Sequence, residues 1–215
     1  MRKGLFITFE GGEACGKTTQ VKLLKEYITS LENKDDFVFV REPGGTPFAE
    51  EIRHLVLDNK QDSPLPLTEL LLFCASRNEN IHKNILPALS EGKIVIADRF
   101  YDSTIAYQGF ARRVMPAEKI LDLTRTIIGD LKPDLTIFLK LSPEESFKRK
   151  ALLNEGLDRM EKENLEFHQK VQEGYEYISK LENDRFFVID ATKSISEIFE
   201  MIKQKINEII KSKNT

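Results

Sequence analysis

At 215 residues the chain has room for one α/β domain with a substantial core, or at most two small ones. Hydrophobic residues make up 40% and charged residues 31%, and a formal charge of −3 gives no global reason to expect nucleic acid or an anionic membrane as a partner. The two cysteines, Cys15 and Cys74, lie far apart without a C-x-x-C pattern, which argues against a disulfide framework or a zinc site and fits a reducing, cytoplasmic location. Met1-Arg2-Lys3-Gly4 leads directly into a strand, with neither a signal-peptide core nor an apolar run of membrane-spanning length, so no membrane partner is expected. His54, His82 and His168 are scattered and read as solvated surface residues.

The first element is the apolar strand Leu5-Phe6-Ile7-Thr8-Phe9, followed by a glycine-bearing loop and a helix start. Gly11, Gly16, Lys17 and Thr18 fit G-x-x-x-x-G-K-[ST] in the strand–loop–helix setting that gives this pattern its meaning. Glycines let backbone N–H groups curl around phosphate oxygens without Cβ interference. The helix start turns unpaired N–H groups and the positive end of its dipole toward the same anion. Lys17 adds a mobile charge, and the Thr18 hydroxyl can ligate Mg²⁺. A nucleoside triphosphate is therefore expected along Gly11-Gly12-Glu13-Ala14-Cys15-Gly16-Lys17-Thr18-Thr19. Cys15, at a helix N-terminus, should have a lowered thiol pKa and react with a thiol reagent unless ATP covers it.

Four further runs read as buried strands, apolar on both faces: Phe37-Val38-Phe39-Val40, Ile94-Val95-Ile96-Ala97, Leu135-Thr136-Ile137-Phe138-Leu139 and Phe186-Phe187-Val188-Ile189. Helix-period segments fall at roughly 17–32, 47–58, 66–90, 102–110, 116–129, 143–151, 162–182 and 195–211. Ser142-Pro143-Glu144-Glu145 and Ser194-Ile195-Ser196-Glu197 carry helix-start capping boxes. The alternation predicts a mostly parallel sheet wrapped by helices, in a single domain over 1–215 with a frayed end at Lys211-Ser212-Lys213-Asn214-Thr215.

In such sheets, ligands gather at the carboxyl ends of the strands. The second strand is followed by Arg41-Glu42-Pro43-Gly44-Gly45-Thr46 and the third by Asp98-Arg99-Phe100-Tyr101. Asp98 stands where nucleotide-binding folds place a metal-supporting carboxylate, with a helix N-cap as the alternative. Arg41 and Arg99 have forks suited to phosphate, with solvated or ion-paired surface residues as the alternative. No general base is evident. An acceptor phosphate, with a second pKa near ~6, is already largely a dianion at neutral pH and needs relief from charge repulsion rather than deprotonation. The residue set therefore suits a nucleotide kinase better than a hydrolase. Asn33-Lys34-Asp35-Asp36 matches the N-K-x-D of GTPases, but it precedes the second strand, and no D-x-x-G occurs in the chain to serve as a switch.

Together these segments resemble the bacterial thymidylate kinases over nearly the whole chain. Phe9-Glu10-Gly11-Gly12-Glu13, Arg41-Glu42-Pro43-Gly44-Gly45-Thr46, Leu72-Phe73-Cys74-Ala75-Ser76-Arg77, Asp98-Arg99-Phe100-Tyr101-Asp102-Ser103, Ala106-Tyr107-Gln108-Gly109 and Leu157-Asp158-Arg159 carry the likeness. The resemblance implies a five-stranded parallel sheet of the P-loop NTPase type, flanked by helices on both faces, with a mobile lid around 150–160. It also implies transfer of the γ-phosphoryl group of MgATP to dTMP, usually in a homodimer. By position Phe73 would stack on thymine and Arg77 would bond its polar edge, though a phenylalanine between Leu72 and Cys74 by itself reads better as core. Thr104 and Gln108 would meet the base, Tyr107 the sugar and Glu13 the 3′-hydroxyl. Arg41, Arg53 and Arg99 would hold the acceptor phosphate, with Glu42 and Asp98 supporting Mg²⁺ through water. Arg53 reads as well as a solvent-facing helix residue. The loop lacks the arginine some members carry, and Asn154-Glu155-Gly156 supplies none, leaving Arg149, Lys150 and Arg159 as the lid-side cations. A related (deoxy)nucleotide or deoxynucleoside kinase, or a nucleotide-dependent switch or binding protein, are the competing readings.

Overall fold

Alternating side chains of the central strand β1 (Leu5–Glu10) organise the fold. Leu5, Ile7 and Phe9 face one way and pack with Leu24 and Ile28 of α1 (Lys17–Thr29) and Ile198, Ile202 and Ile206 of α9 (Ile195–Lys213). Phe6 faces the other way, against Leu70 and Cys74 of α3 (Pro66–Asn80) and Ile120 and Leu121 of α6 (Ala117–Ile128). The computed structural model describes residues 4–58, 62–152 and 158–213. Asn154, Glu155, Gly156 and Leu157, on which the expected lid centres, lie outside the described residues.

β1 pairs with β3 (Ile94–Asp98) and β4 (Leu135–Lys140), which pair in turn with β2 (Phe37–Arg41) and β5 (Phe186–Asp190). The result is a parallel five-stranded sheet in the order β2-β3-β1-β4-β5, with helices on both faces as the alternation predicts. The register sets Phe9 beside Asp98 and Asp98 beside Arg41, so three strands end at one level and release their loops into one crevice. α2 (Pro47–Leu57) starts behind Thr46, whose hydroxyl accepts from the Ala49 N–H, and the boxes at Ser142 and Ser194 open α7 (Pro143–Leu152) and α9.

Two expectations need correction. The strands are not all apolar on both faces. Thr8, Glu10 and Thr136 are fully buried on the second face, Thr8 and Thr136 sharing a 2.8 Å hydroxyl bond, while the marginal strands β2 and β5 stay half-exposed. The helices expected over 66–90 and 102–110 are also interrupted. α3 passes through a wide π turn, Ile81–Ile85, before α4 (Leu86–Ser90), and α5 (Tyr101–Thr104) continues as a π segment, Ile105–Ala111. Pro87 has no N–H to give a regular helix turn, which accounts for the first widening.

α8 (Leu165–Leu181) lies tightly on the second π segment because Gly174 has no side chain, and a Cβ there would stand 2.6 Å from Ala106 Cα. That close approach delivers Tyr175 to the crevice. Among the described residues no helix is long and apolar enough to cross a membrane.

Candidate active site

The crevice at the strand ends is a cavity of about 1050 Å³. One end is walled by the glycine loop. Gly11 and Gly16 sit at φ 145° and 92°, and a Cβ on Gly11 would meet Leu139 O at 2.6 Å, so the chain can turn here only as glycine. Lys17 folds back over the loop, its Nζ donating to Gly11 O at 2.8 Å and Gly12 O at 2.9 Å. α1 begins with no side-chain cap and no acidic residue in its first turn, leaving its N–H groups and positive dipole end uncompensated toward the cavity. Glu13, Ala14, Cys15, Gly16, Lys17, Thr18 and Thr19 all line this end, whereas Gly11 and Gly12 are not part of the wall and give their carbonyls to Lys17. Cys15 is 1% exposed and packs into the core beneath the loop, so the expected attack by a thiol reagent finds the sulfur closed off.

Arg99 is the hub between the two ends. Its φ of 71° is a left-handed conformation uncommon for arginine, fixed by its N–H to Phe9 O at 3.0 Å and by Phe100 N–H to the Glu10 carboxylate at 2.7 Å. One guanidinium nitrogen donates to Gly11 O, Ser103 Oγ and Tyr175 OH at 3.1, 3.1 and 2.9 Å, and the other to Glu13 Oε1 at 2.8 Å and Tyr107 OH at 3.3 Å. The Tyr107 hydroxyl also donates to Glu13. Burial opposes ionisation of Glu13, but Arg99 and Lys17 outweigh it and hold the carboxyl down at about 2. Behind this hub Glu10, fully buried, accepts from Ser103 Oγ at 2.7 Å and Tyr175 OH at 3.0 Å. Burial, aided by nearby Asp102, lifts its carboxyl to about 7.

The other end lies between α3 and the α5 turn. Phe73 and Arg77, one helical turn apart, both line it. Arg77 is 3% exposed and donates to Glu42 Oε2 at 2.8 Å, Thr104 Oγ1 at 2.9 Å and Phe100 O at 3.1 Å. Burial raises the Glu42 carboxyl. Thr104, Tyr107 and Gln108 complete the wall. On the β2 side Arg53 lines the cavity and donates to Pro43 O at 2.9 Å, and Arg41 pairs with Glu50 at 2.8 Å while remaining half-exposed. Arg53 is therefore not turned wholly to solvent.

Of the three lid-side cations, the structure brings two to the cavity. Arg149 bridges Ala14 O and Ala191 O at 3.4 and 2.7 Å. Lys150 donates to Glu161 O at 2.9 Å and lies 3.3 Å from His168 Nε2. Arg159 is elsewhere, held by the buried Glu69 and by Val56 O. His168 corrects another expectation: it is buried, 4% exposed, where burial and Lys150 push its pKa down to about 4.

For a cation, the chemistry of the donors is the test. Thr18 and Asp98 present hard oxygens to the cavity and neither side chain is hydrogen-bonded to a described residue; Asp98 ends β3 and is not the cap of α5, whose cap is Phe100. Glu42 is committed to Arg77. Among the described residues no group of three or more His, Cys, Asp or Glu could hold a metal alone. This set fits Mg²⁺ completing its shell with phosphate and water oxygens.

Sequence reasoning missed Glu10, Ser103, Tyr175, His168 and Glu69. Glu10 left a trace, as a charge closing an apolar strand, and the others look in sequence like ordinary polar helix residues.

A model of the thymidylate kinase family matches residues 9–202. Thymidylate kinase from Symbiobacterium thermophilum is 42% identical over 206 residues, 96% of this chain and 94% of that protein. Its counterpart from Dehalococcoides mccartyi is 44% identical over 210 residues, 98% of this chain and 99% of the other. The crystal structure of thymidylate kinase from Ehrlichia chaffeensis superposes with a TM-score of 0.77 at 34% identity, covering 95% of this chain and 98% of that one. With the family model, the relatives and the solved structure in agreement, the chain belongs to the thymidylate kinase family.

Proposed function

We propose that the chain moves the γ-phosphoryl group of MgATP onto dTMP, giving dTDP and ADP for dTTP synthesis. One observation carries the reading: a single cavity joins an uncapped phosphate-loop helix to a slot between Phe73 and Arg77, with Arg99 between them. The loop end takes ATP. The slot takes the acceptor, with Phe73 against the base, Arg77, Thr104 and Gln108 at its edge, and Tyr107 beside the sugar, where its ring bars a 2′-hydroxyl.

The acceptor phosphate is its own nucleophile, so catalysis is a matter of position and charge. Arg41, Arg53 and Arg99 hold that phosphate, and Glu13, kept ionised, orients the 3′-hydroxyl. Lys17 leaves the loop carbonyls for the transferring phosphoryl, and Arg149 with Lys150 stands on its far side. Arg159 serves as a structural tie to Glu69. Thr18 and Asp98 would hold Mg²⁺, which when bound would supply neutralisation of the phosphate charge.

We further read the chain as one domain with a lid around 150–160, acting in the cytoplasm as a homodimer. Phe48 and Leu55 of α2 and Leu67 and Leu71 of α3, each at least half-exposed, offer an apolar face for a second copy.

ADP release with MgATP and a panel of dTMP, UMP, AMP and thymidine tests the function. Strong turnover with dTMP alone is expected. Turnover only with thymidine, or ATP hydrolysis that no acceptor stimulates, would overturn it.

A further inference from the structure

Gln108, which lines the slot, meets a buried carboxylate. Glu69, in the first turn of α3 and 1% exposed, accepts from Gln108 Nε2 at 2.8 Å. The same carboxyl group receives Arg112 Nε at 3.4 Å and the Arg159 guanidinium, so two cations offset its charge in the interior. An ionised carboxylate only accepts hydrogen bonds, and it therefore compels Gln108 to present its NH₂ group. The reversed amide would set oxygen against oxygen in a buried place. The Gln108 amide oxygen is left for the cavity, which Gln108 lines, and it takes no hydrogen bond from a described residue.

Resting on the proposed base contact, we infer that Glu69 is a positioning residue for specificity: by fixing the Gln108 amide it makes the slot offer an acceptor to the base. Thymine carries a hydrogen on N3 and matches that acceptor. A cytosine-type ring has a bare lone pair at N3 and is repelled by it. A polar site built for one pattern of donors discriminates strongly against the other, because its own group is left unpaired.

The test compares kcat/KM for dTMP with that for 5-methyl-dCMP, which keeps the methyl group and changes only the polar edge. Glu69→Gln brings an NH₂ group of its own and frees the Gln108 amide to turn, and the preference for dTMP should fall by about tenfold or more. Glu69→Asp keeps the charge for Arg112 and Arg159 but shortens the reach to Gln108, and should lose a smaller part. It also carries the test if Glu69→Gln does not fold. Gln108→Leu should cost as much preference as Glu69→Gln, and the double variant no more than either.

A purely structural role would lower turnover on both nucleotides and leave their ratio unchanged, which would overturn the assignment. So would an unchanged ratio in Gln108→Leu, with dTMP turnover still supporting the function. Failure of the wild-type protein to phosphorylate dTMP would instead remove the reading on which the inference rests.

Discussion

The two ends of the cavity are built in opposite ways. At the loop end the phosphate-facing elements are set locally: Lys17 reaches Gly11, six residues away, and the start of α1 is left without a cap, with Arg99 and Arg149 bracing the loop from afar through Gly11 O and Ala14 O. At the slot and its hub contacts span the chain, with Arg77 to Glu42 across 35 residues, Arg99 to Glu13 across 86 and Arg159 to Glu69 across 90. The first end has positive potential to spare and suits a polyanion. In the second, charges are already paired, which suits a largely neutral base and confines the demand for anion to its border at Arg99. An uncompensated site is assembled by a short motif, whereas a compensated one needs the whole fold.

The sharpest way to break this contrast is Lys17→Met. Loss of the one mobile cation of the loop should cut kcat about 10²–10³-fold while the circular dichroism spectrum and Tm stay near wild type. Next comes Glu10→Gln. Its amide can no longer accept all three donors from Phe100, Ser103 and Tyr175, so Arg99 loses its seat, and kcat/KM for dTMP should drop about 10- to 100-fold with KM for ATP little changed. Arg41→Ala should do less, because Arg41 is half-exposed and tied only to Glu50; a few-fold rise in KM for dTMP is expected.

The smallest effects concern pH, and their signs are opposite. Glu10 holds its proton up to about 7 in the fold against 4.5 unfolded, so its contribution to stability is fully present below 4.5 and is lost as pH rises through 7. His168 stays neutral down to about 4 against 6.5 unfolded, so the unfolded chain binds the extra proton and stability falls as pH drops from 6.5 toward 4. Tm measured across pH should show Glu10→Gln flattening the rise-side loss and His168→Gln flattening the acid-side loss. A wild-type slope surviving in either variant would reassign that titration.

The same contrast explains what could be read from the sequence. The parallel sheet, its strand ends and the loop follow from short apolar runs and a spaced motif, because each is a property of neighbours in the chain. Phe73 and Arg77, Thr104 and Gln108 could be paired by helical spacing alone. Glu69 and Tyr175 could not, since each gains meaning from a partner brought in by another helix, Tyr175 through the close approach at Gly174. His168 and Cys15 misled for the same reason: burial is a property of the fold, and one histidine on an amphipathic helix looks like any other.

If the acceptor end is complete without the loop's charge, dTMP should bind Lys17→Met as it binds wild type. Calorimetric titration of dTMP into Lys17→Met, beside wild type, measures this. A Kd within about twofold of wild type, together with abolished transfer, is the predicted result for sites coupled only through the reaction. Loss of dTMP affinity by about tenfold or more would show instead that the two ends are one electrostatic unit and that the acceptor end depends on the loop's charge.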